Sequence, residues 1–570
     1  MKTPLFQSRI RIISIFVFLF ASILIAKLFY VQIIHKNLYA EKADRQYATP
    51  SGDIFRRGSI FFSKKDASLV AAATISNGFK VALNTKDITD PESLYNSLDP
   101  YIDMDHDSFI MRASKKNDPY EEVATRLSKE NADKINELGL KGVSVYKDNW
   151  RFYPGKTLAS QTLGFLGYKG DDRFGQYGLE RSYDKTLSKP KDESYVNFFA
   201  EVFSNLRDTI SDSPNREGDI VTTIEPATEH TLESELEGAY RKWHADQAGG
   251  IIINPQTGEI YARAGFPNFD PNDFGNVSNI DVYRNPIVEN VFEFGSVIKP
   301  LVMAAALDKG VITPETTYID KGVVTVNKKD IMNFDKKARG LSSMQRVLDE
   351  SLNTGMVFVE EKLGHENMRS YMKAYGIGEK TGIDLPGEVS GLIKNLESPR
   401  DIEYANASFG QGIALTPIEA VRAFSSIVNG GKLIKPHVVK QIRYDDGLSK
   451  VIDYPVTKLG IIKEETSNTI SRMLVHVFES YDGGSHKFEH YSVGSKTGTA
   501  QVAMDNGRGY YTDRHMHSFF GYFPAYEPKF LVFLFLKNPK EVKYASQTLI
   551  PPFVSITKFL MNYYDVPPDR

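Results

Sequence analysis

The longest apolar run of the chain lies near its N-terminus, from Ile12 to Ile34, and contains a single charged residue. A run of this length can cross the hydrocarbon core of a bilayer as a helix. Lys2, Arg9 and Arg11 precede the run, and no acidic residue occurs in it or before it. Because positive charge stays on the cytoplasmic side, we expect a membrane anchor that leaves the rest of the chain outside the cytoplasm.

A cleaved signal peptide would show the same basic start and apolar centre, so the cleavage site must decide between the two interpretations. Such sites carry small residues at alternate positions, but Leu24 stands two places before Ala26, and Leu19 stands two places before Ala21. No convincing site is present. We therefore predict an uncleaved anchor in the cytoplasmic membrane.

Between the anchor and about residue 215, short apolar runs alternate with turn signals and charged helical segments such as Ser128–Leu138. No catalytic group of residues is visible in this part. Residues 211–218 are polar and contain Pro and Gly, which is typical of a linker between domains. The predicted organisation is a cytoplasmic tail over 1–11, an anchor over 12–34, a non-catalytic domain over 35–215 and a catalytic domain over 216–570.

The second half of the chain alternates strand patterns with longer helical ones. Gly249–Ile253 and Ile260–Ala262 flank a turn at Asn254–Gly258, which predicts a β-hairpin. Further strands are predicted at Ile220–Ile224, Lys496–Ala503, Phe519–Phe523 and Phe530–Lys537, and helices at Pro226–Ala239 and from Ser296 through Leu307. The pattern predicts an α+β fold in which helices pack on an antiparallel sheet.

Composition excludes several classes of function. The chain has 570 residues, of which 41% are hydrophobic and 25% charged, an ordinary balance for more than one folded domain. The net charge of −3 and the dispersed Lys and Arg residues give no reason to expect nucleic-acid binding. No cysteine is present, which excludes disulfides, thiol catalysis and zinc held by cysteine.

Three short motifs occur in order along the chain: Ser296-Val-Ile-Lys299, Ser351-Leu-Asn353 and Lys496-Thr-Gly-Thr. A serine hydroxyl needs a nearby base to act as a nucleophile at neutral pH, and a lysine with a lowered pKa can serve. If a helix begins near Ser296, residues i and i+3 share one face, so Lys299 lies beside the hydroxyl. The motifs together predict a serine acyl-transfer site, whose oxyanion would lie near the N-terminus of that helix.

Each motif is weak by itself because it recurs elsewhere in the chain. Ser-x-x-Lys occurs at five further places, and Lys-Thr-Gly also occurs at Lys380–Gly382. That earlier copy runs into a turn with Pro and Gly and predicts a structural loop, whereas Lys496–Gly498 leads into the predicted strand. A substrate could pair along the strand edge while Lys and Thr side chains hold its terminal carboxylate.

With these motifs in this order, the chain resembles the class B penicillin-binding proteins, which are monofunctional D,D-transpeptidases. The resemblance covers nearly the whole chain and implies a penicilloyl-serine transferase fold preceded by an elongated pedestal domain. It is also carried by the segments Arg56–Ile60, Arg151–Gly155, Gly178–Tyr183, Gly218–Ile224, Ile253–Ile260, Thr381–Glu388, Ser408–Gly412 and Ser518–Pro524. Phe294 and Ser495 depart from the usual Pro and Gly of the family, and neither position carries the chemistry.

The resemblance implies a role for each motif residue. Ser296 would attack the penultimate D-Ala carbonyl of a stem pentapeptide, Lys299 would take the hydroxyl proton, and Ser351 would relay a proton to the leaving amine. Asn353 would bind the peptide backbone, and Lys496 would keep Lys299 neutral and attract the terminal carboxylate. The implied substrate-binding residues are Thr497, Gly498 and Thr499, and the implied oxyanion hole is formed by the backbone N–H groups of Ser296 and Thr499. The amine of a second stem peptide would then form the cross-link.

No metal or organic cofactor is expected. His486 and His490 have the spacing of a helical metal pair, but their flank is rich in glycine and a third ligand is absent. His515 and His517 are expected in a loop that borders the active-site strand rather than in a metal site.

Several functions remain open for such a site. A D,D-carboxypeptidase would pass the acyl group to water, a β-lactamase would hydrolyse β-lactams, and a scaffold or β-lactam sensor would turn over poorly. Thr313–Thr316, Leu385–Glu388 and Ser408–Gly412 look more like the division and sporulation branch of the family than the elongation branch. The implied partners are stem peptides ending in D-Ala-D-Ala, β-lactam antibiotics, the cytoplasmic membrane, a polytopic lipid II polymerase and other membrane proteins of the division complex.

Overall fold

The computed structural model describes residues 55–188 and 217–570, except 116–117, 119, 170–171 and 505–508, together with residue 20. Within that part of the chain, no helix is long and apolar enough to span a membrane. The predicted tail over 1–11 and the predicted anchor over 12–34 lie outside the described residues, apart from residue 20.

The chain divides into two compact units. Among the described residues, the smaller unit comprises Phe55 and residues 79–149, and the larger unit comprises residues 56–78, 150–188 and 217–570. Each unit is therefore built from segments that are separated in the sequence. The boundary predicted within 211–218 falls mainly outside the described residues, so it stays a prediction.

In the smaller unit, short helices pack on antiparallel strands. Its elements are residues 79–83 of the strand Leu69–Leu83, the 3-10 turn Thr85–Asp87, the helices Pro91–Leu98, His106–Ala113 and Lys129–Glu137, the strand Glu121–Leu127 and residues 143–149 of the strand Val143–Phe152. The three helices begin behind the capping side chains of Asp90, Asp105 and Ser128. Their apolar sides form one core around the fully buried Phe109. The helix predicted at Ser128–Leu138 is confirmed.

The larger unit is built around a five-stranded antiparallel sheet. Its strands, labelled in chain order, are β1 (Gln247–Ile253), β2 (Ile260–Phe266), β3 (Gly494–Ala503), β4 (Tyr510–Phe523) and β5 (Phe530–Lys537), and they lie in the order β3-β4-β5-β1-β2. The predicted hairpin is confirmed as β1 and β2, and the three strands predicted near the C-terminus are β3, β4 and β5. Among the described strands, β3 lies at the edge of this sheet, so one side of it has no strand partner.

Helices cover both faces of this sheet. Those used below are α1 (Pro226–Lys242), α2 (Lys299–Asp308), α3 (Asn353–Leu363), α4 (Asp401–Ala407), α5 (Glu464–Ser480) and α6 (Ala545–Tyr563). The remaining helices in the described part of the unit are Ser160–Leu163, Gly178–Ser182, Asp184–Leu187, Pro286–Glu289, Met344–Asp349, His365–Ala374 and Pro417–Val428, with 3-10 turns at Phe274–Asn276, Ile280–Tyr283, Gly295–Ile298, Lys394–Glu397 and Tyr481–Gly484. The helix predicted at Pro226–Ala239 is confirmed as α1.

Alternate residues of β5 enter two separate cores, because successive side chains of a strand point to opposite faces of the sheet. Val532 and Leu534 pack with residues of α1 and α6 on one face. Leu531 and Phe533 pack on the other face, in the core that contains α2. α2 is buried on all sides from Lys299 to Ala306, as expected of a helix that is apolar all round.

A second sheet of the larger unit contains the strand predicted at Ile220–Ile224. This strand, Gly218–Thr222, pairs parallel with Ile60–Ser63 and antiparallel with Val439–Tyr444. Ser449–Val451 extends the sheet beyond Val439–Tyr444, and residues 69–73 extend it beyond Ile60–Ser63. Two-stranded pairs occur at Leu166–Lys169 with Asp172–Gly175, Thr317–Asp320 with Gly340–Ser343 and Val323–Val326 with Lys329–Met332.

Three segments that carry the family resemblance meet at one buried carboxylate in the larger unit. Arg57 Nε and Arg151 Nε each donate to an oxygen of Glu180 at 2.6 Å, and all three side chains are buried. Burial acts to raise the pKa of Glu180, but the two guanidinium groups outweigh burial and lower that pKa below its ordinary value. The cluster ties the segment from Arg56 to Ile60 to the larger unit.

Candidate active site

The residues of the three motifs converge on one cleft of about 570 Å³ in the larger unit. The cleft is lined by Ser296, Ser351, Asn353, Lys496, Thr497 and Thr499. Lys299 is fully buried and bonds to the second motif, and Gly498 lies between the two threonines on β3. The structure thus brings together all the site residues singled out from the sequence.

Ser296 lies in a turn that precedes the predicted helix. Gly295–Ile298 form a 3-10 turn, and the α-helix begins at Lys299 rather than near Ser296. Pro300 explains this start, because a residue without an N–H group suits the first turn of an α-helix. Residues i and i+3 eclipse each other in a 3-10 helix, so the turn still places Lys299 on the same side as Ser296.

Lys299 Nζ is held by three oxygen atoms of the second motif: Ser351 O at 2.6 Å, Asn353 Oδ1 at 2.8 Å and Ser351 Oγ at 3.2 Å. Burial, and then the charge of Lys496, lower the pKa of Lys299 well below its ordinary value. A neutral amine has two N–H donors and one lone pair. With its donors on the carbonyl oxygens of Ser351 and Asn353, the lone pair remains to accept a hydroxyl proton.

The second motif is shaped by an unusual backbone conformation. Ser351 has φ +53°, in the left-handed region, between the helix Met344–Asp349 and α3. A non-glycine residue there stores strain, which is found where the surrounding structure imposes a precise geometry. Asn353 opens α3, and its Nδ2 donates to Met332 O at 2.9 Å while its Oδ1 accepts from Lys299. Both ends of the amide are therefore oriented.

Lys496 lines the cleft although only 1% of it is exposed. Burial lowers the pKa of Lys496 to about 8, and the carboxylate of Asp349 opposes this shift. Asp349 also lines the cleft, and its Oδ1 lies 3.0 Å from His476 Nδ1. Lys496 therefore keeps its positive charge at neutral pH. The sequence motifs did not reveal Asp349.

The first and third motifs touch through glycine. A Cβ on Gly498 would lie 2.4 Å from Phe294 O and 2.4 Å from Ser518 Oγ, so no larger residue fits without a shift of the backbone. Ser518 Oγ donates to Phe294 O at 2.7 Å and joins β4 to the same turn. Gly295 adopts φ +65°, a conformation that favours glycine. β3 is therefore held directly against the turn that carries Ser296.

Phe294, which stands where the family usually has Pro, is fully buried. Its ring packs edge-on against Phe533 of β5, with centroids 5.0 Å apart. An aromatic side chain at this position thus anchors the turn to the central strand of the sheet.

Tyr481 supports the edge of β3 and was not found from the sequence. Tyr481 lines the cleft, and its hydroxyl accepts a hydrogen bond from Thr497 N–H at 3.0 Å. Thr499 Oγ1 accepts from the N–H of Ala545 at 3.2 Å, at the start of α6. Further lining residues outside the three motifs are Phe334, Arg339, Glu350, Phe409, Gln411, Gln501, Lys543, Tyr544 and Ser546.

His515 and His517 lie on β4, so the predicted loop is wrong. They pair with Gln501 and Thr499 of β3, because the pairing of the two strands continues as far as Tyr510. His515 lines the cleft, while His517 is buried with Nδ1 2.9 Å from Thr548 Oγ1. Among the described residues, no group of three or more His, Asp or Glu side chains has an arrangement that could hold a metal ion.

Comparison with known proteins agrees with this geometry. The family model described as penicillin binding protein transpeptidase domain matches residues 248–556, and the one described as penicillin-binding protein dimerisation domain matches residues 56–223. The chain belongs to the penicillin-binding protein transpeptidase family. It is thus an enzyme of the kind that works through an acylated serine.

Named relatives of this penicillin-binding transpeptidase cover most of its length. Stage V sporulation protein D of Bacillus subtilis is 33% identical over 506 residues, which are 87% of this chain and 76% of that protein. Peptidoglycan D,D-transpeptidase FtsI of Escherichia coli is 26% identical over 455 residues, which are 78% of this chain and 73% of that protein.

Solved structures of penicillin-binding proteins share the fold. Penicillin binding protein 3 from Mycobacterium tuberculosis, complexed with aztreonam, has a TM-score of 0.69 at 20% identity and covers 91% of this chain and 98% of its own. Penicillin Binding Protein 2X from Streptococcus thermophilus has a TM-score of 0.70 at 20% identity and covers 90% of this chain and 81% of its own. The predicted α+β transpeptidase fold is confirmed.

Proposed function

We propose that this penicillin-binding transpeptidase cross-links peptidoglycan stem peptides through an acyl-enzyme on Ser296. The environment of Lys299 carries the proposal. A buried amine with a lowered pKa is bound by Ser351 and Asn353, beside the cleft that Ser296 and Lys496 line. The cleft therefore offers a nucleophile, a base and a cation for a substrate carboxylate.

In the first step, Ser296 Oγ attacks the carbonyl carbon of the penultimate D-Ala, and Lys299 Nζ takes the hydroxyl proton. Lys496, with the Thr497 and Thr499 hydroxyls, holds the terminal carboxylate of the donor peptide. The peptide bond breaks, and the terminal D-Ala leaves as an amine after it receives a proton through Ser351. The product is an ester between Ser296 and the shortened donor.

In the second step, the amine of another stem peptide attacks that ester. Lys299 takes the amine proton and returns a proton to Ser296 Oγ as the ester bond breaks. The backbone N–H groups of Ser296 and Thr499 stabilise the oxyanion of both steps. β-Lactams would acylate Ser296 in the same way as the donor peptide.

The proposal places this reaction at the outer face of the cytoplasmic membrane during septal or sporulation-linked wall synthesis. The names of the sporulation and FtsI relatives support the branch, and the apolar run from Ile12 to Ile34 supports the anchor. A polytopic lipid II polymerase and other membrane proteins of the division complex are the proposed partners.

The first experiment is intact-mass analysis and peptide mapping of the full chain after exposure to labelled penicillin, with Ser296→Ala as the control. We expect a long-lived adduct on Ser296 that the variant lacks. Rapid hydrolysis of the drug would instead indicate a β-lactamase, and neither adduct nor hydrolysis would indicate a scaffold.

A second assay separates cross-linking from hydrolysis. The full chain is given a donor stem peptide with and without a second peptide that carries the acceptor amine. We expect a cross-linked dimer whose yield rises with the acceptor concentration. Release of D-Ala without any dimer would make the chain a D,D-carboxypeptidase.

A further inference from the structure

The larger unit contains a second cavity, of about 610 Å³, that shares no lining residue with the active-site cleft. It lies between α3, α4 and the strand Val323–Val326. Glu360, Glu361, His365 and Asp401 supply its polar wall, and Val326 and Val357 supply apolar surface. None of these residues takes part in the proposed acyl transfer.

Glu360 places an unsatisfied carboxylate oxygen at this cavity. Its side chain is only 3% exposed, and Oε1 accepts no hydrogen bond. The nearest cationic candidate is His365, whose Nε2 lies 3.4 Å from that oxygen without hydrogen-bond geometry. A buried carboxylate oxygen without a donor is costly, so the site gains stability from a donor that enters the cavity.

The neighbouring groups are held in place around that oxygen. The His365 ring stacks on Tyr404, with centroids 4.0 Å apart, and its Nε2 lies 3.8 Å from Asp401 Oδ1. Asp401 Oδ2 accepts from Asn327 Nδ2 at 3.1 Å, which orients the carboxylate and leaves Oδ1 toward His365. Two carboxylates therefore approach the same space from α3 and α4.

Electrostatics make this space favourable for a cation. Burial, and then the charges of Glu361 and Asp401, raise the pKa of Glu360 to about 7. When the cavity holds no cation, the charges of Glu361 and Asp401 repel the ionised form of Glu360. A positive group bound beside them would remove that repulsion and would lie against the Glu360 carboxylate.

We propose that this cavity binds an organic cation with a primary ammonium group, such as an alkyl diamine, with the ammonium beside the carboxylates of Glu360 and Asp401. Three observations favour an organic cation over a bare ion. The cavity has the size of a small-molecule site, roughly 300–1,000 Å³. Val326 and Val357 can contact an alkyl chain. Finally, the part of the chain that the structure describes contains no ligand group arranged for a metal ion.

Isothermal titration of the full chain with 1,5-diaminopentane tests the proposal. We expect one saturable site, and we expect Glu360→Gln and Asp401→Asn each to weaken binding about tenfold or more, since each removes a charge-assisted hydrogen bond. Glu366→Gln is the matched control, because Glu366 is exposed, follows His365 directly and does not line the cavity. Pentane-1,5-diol, which has the same chain without the charge, should not bind.

The pH dependence gives an independent readout. Bound ammonium favours ionised Glu360, so binding should strengthen from pH 6 to pH 8 and release protons, which titrations in two buffers of different ionisation enthalpy detect. The other titratable groups that line the cavity are Glu361, His365 and Asp401.

Thermal unfolding of each variant confirms that it is folded before binding is compared. The proposal is overturned if the wild type binds no diamine, if Glu360→Gln binds it as well as the wild type, if the diol binds equally, or if Zn²⁺ binds at these residues and no amine does. None of these outcomes depends on Ser296, so the test is independent of the proposed transpeptidation.

Discussion

Lys299 and Lys496 are both buried beside one cleft, yet the charges near them shift their pKa values in different ways. Complete burial, and then the nearby charge of Lys496, disfavour the protonated form of Lys299, so its pKa falls well below its ordinary value. Lys496 is also buried, but the Asp349 carboxylate limits the fall of its pKa to about 8. The lowered pKa of Lys299 suits it to the proposed role of base, and the Asp349 carboxylate favours the charged form of Lys496 that the proposed role of cation needs.

Replacement of Lys299 by Met should remove the base while keeping a side chain of similar length in a buried site. We expect acylation of Ser296 by penicillin to slow by about 100-fold to 10,000-fold, the usual contribution of a general base. Rapid-quench labelling measures the rate. Lys309→Met, at the exposed end of α2, is the control and should label like the wild type. An unchanged rate in Lys299→Met would show that another group takes the proton.

The second-order acylation rate constant should depend on pH with a fall on the alkaline side. As pH rises through about 8, Lys496 loses the proton with which it attracts the substrate carboxylate, so the rate should decline. Lys496→Arg keeps a charge throughout this range and should move the decline to higher pH. Stopped-flow measurements between pH 6 and pH 10 check both profiles. If the acylation rate constant of Lys496→Arg declined at the same pH as that of the wild type, the decline would belong to a group other than Lys496.

The sequence named the side chains of the three motifs but not their supporting partners. Tyr481 and Asp349 act on Thr497 and Lys496 from elements distant in sequence, and neither belongs to a recognisable pattern. Motif spacing is local, whereas these contacts depend on how α5 and the helix before Ser351 pack. For the same reason the aromatic pair Phe334 and Tyr544, 5.9 Å apart at the cleft, was not predictable.

Among the secondary-structure elements, strands were predicted more reliably than the turn at the nucleophile. Apolar runs such as that of β5 indicate buried strands directly, because both faces of the strand are covered. The turn Gly295–Ile298 differs from the predicted helix because Gly295 has φ +65° and Pro300 sets the start of α2. The length of β4 follows from its pairing with β3, which no local pattern encodes.

Gly498→Ala should separate β3 from the nucleophile turn. The new Cβ would meet Phe294 O and Ser518 Oγ at 2.4 Å, so the strand must shift, at a cost of about 1–3 kcal/mol of stability for an overpacked site. We expect a lower Tm and slower acylation of Ser296. Gly238→Ala is the control, because a Cβ there meets nothing within 4 Å on α1 and should stabilise the helix by about 0.5–1 kcal/mol. If penicillin labelled Gly498→Ala as fast as it labels the wild type, this would contradict the close approach of β3 to the nucleophile turn.

At the level of the whole chain, segments far apart in sequence build the larger unit. Residues 56–78 and 150–188 belong to the same compact unit as the active site and also lie within the range 35–215 predicted for the non-catalytic domain, whose boundary stays a prediction. The contacts of Arg57 and Arg151 with Glu180 supply a physical reason for this arrangement. The sequence segments that contain Arg57, Arg151 and Glu180 gave no indication that these three side chains would share one buried site.

Glu180→Gln tests how strongly this cluster holds the larger unit. The substitution leaves the buried guanidinium of Arg151 without a counter-charge and leaves Arg57 with Asp184 alone, at 2.9 Å, so we expect a loss of about 3–5 kcal/mol in the free energy of unfolding. Urea denaturation of the full chain, followed by tryptophan fluorescence and circular dichroism, measures the loss. Glu237→Gln breaks only the exposed pair with Arg241, with an expected effect of about 0.3–0.5 kcal/mol.

The sign of the pH dependence provides a second test of the same cluster. Because the folded-state pKa of Glu180 is lowered, its stabilisation is present above the unfolded pKa and is lost as pH falls through the folded pKa. Wild-type stability should therefore fall on acidification more steeply than that of Glu180→Gln, which has no proton to bind at this site. Parallel acid profiles of the two proteins would mean that the Glu180 charge contributes nothing to folding, and the segment from Arg56 to Ile60 would then be held by its other contacts, such as the hydrogen bond from Gly58 N–H to Leu187 O at 2.8 Å.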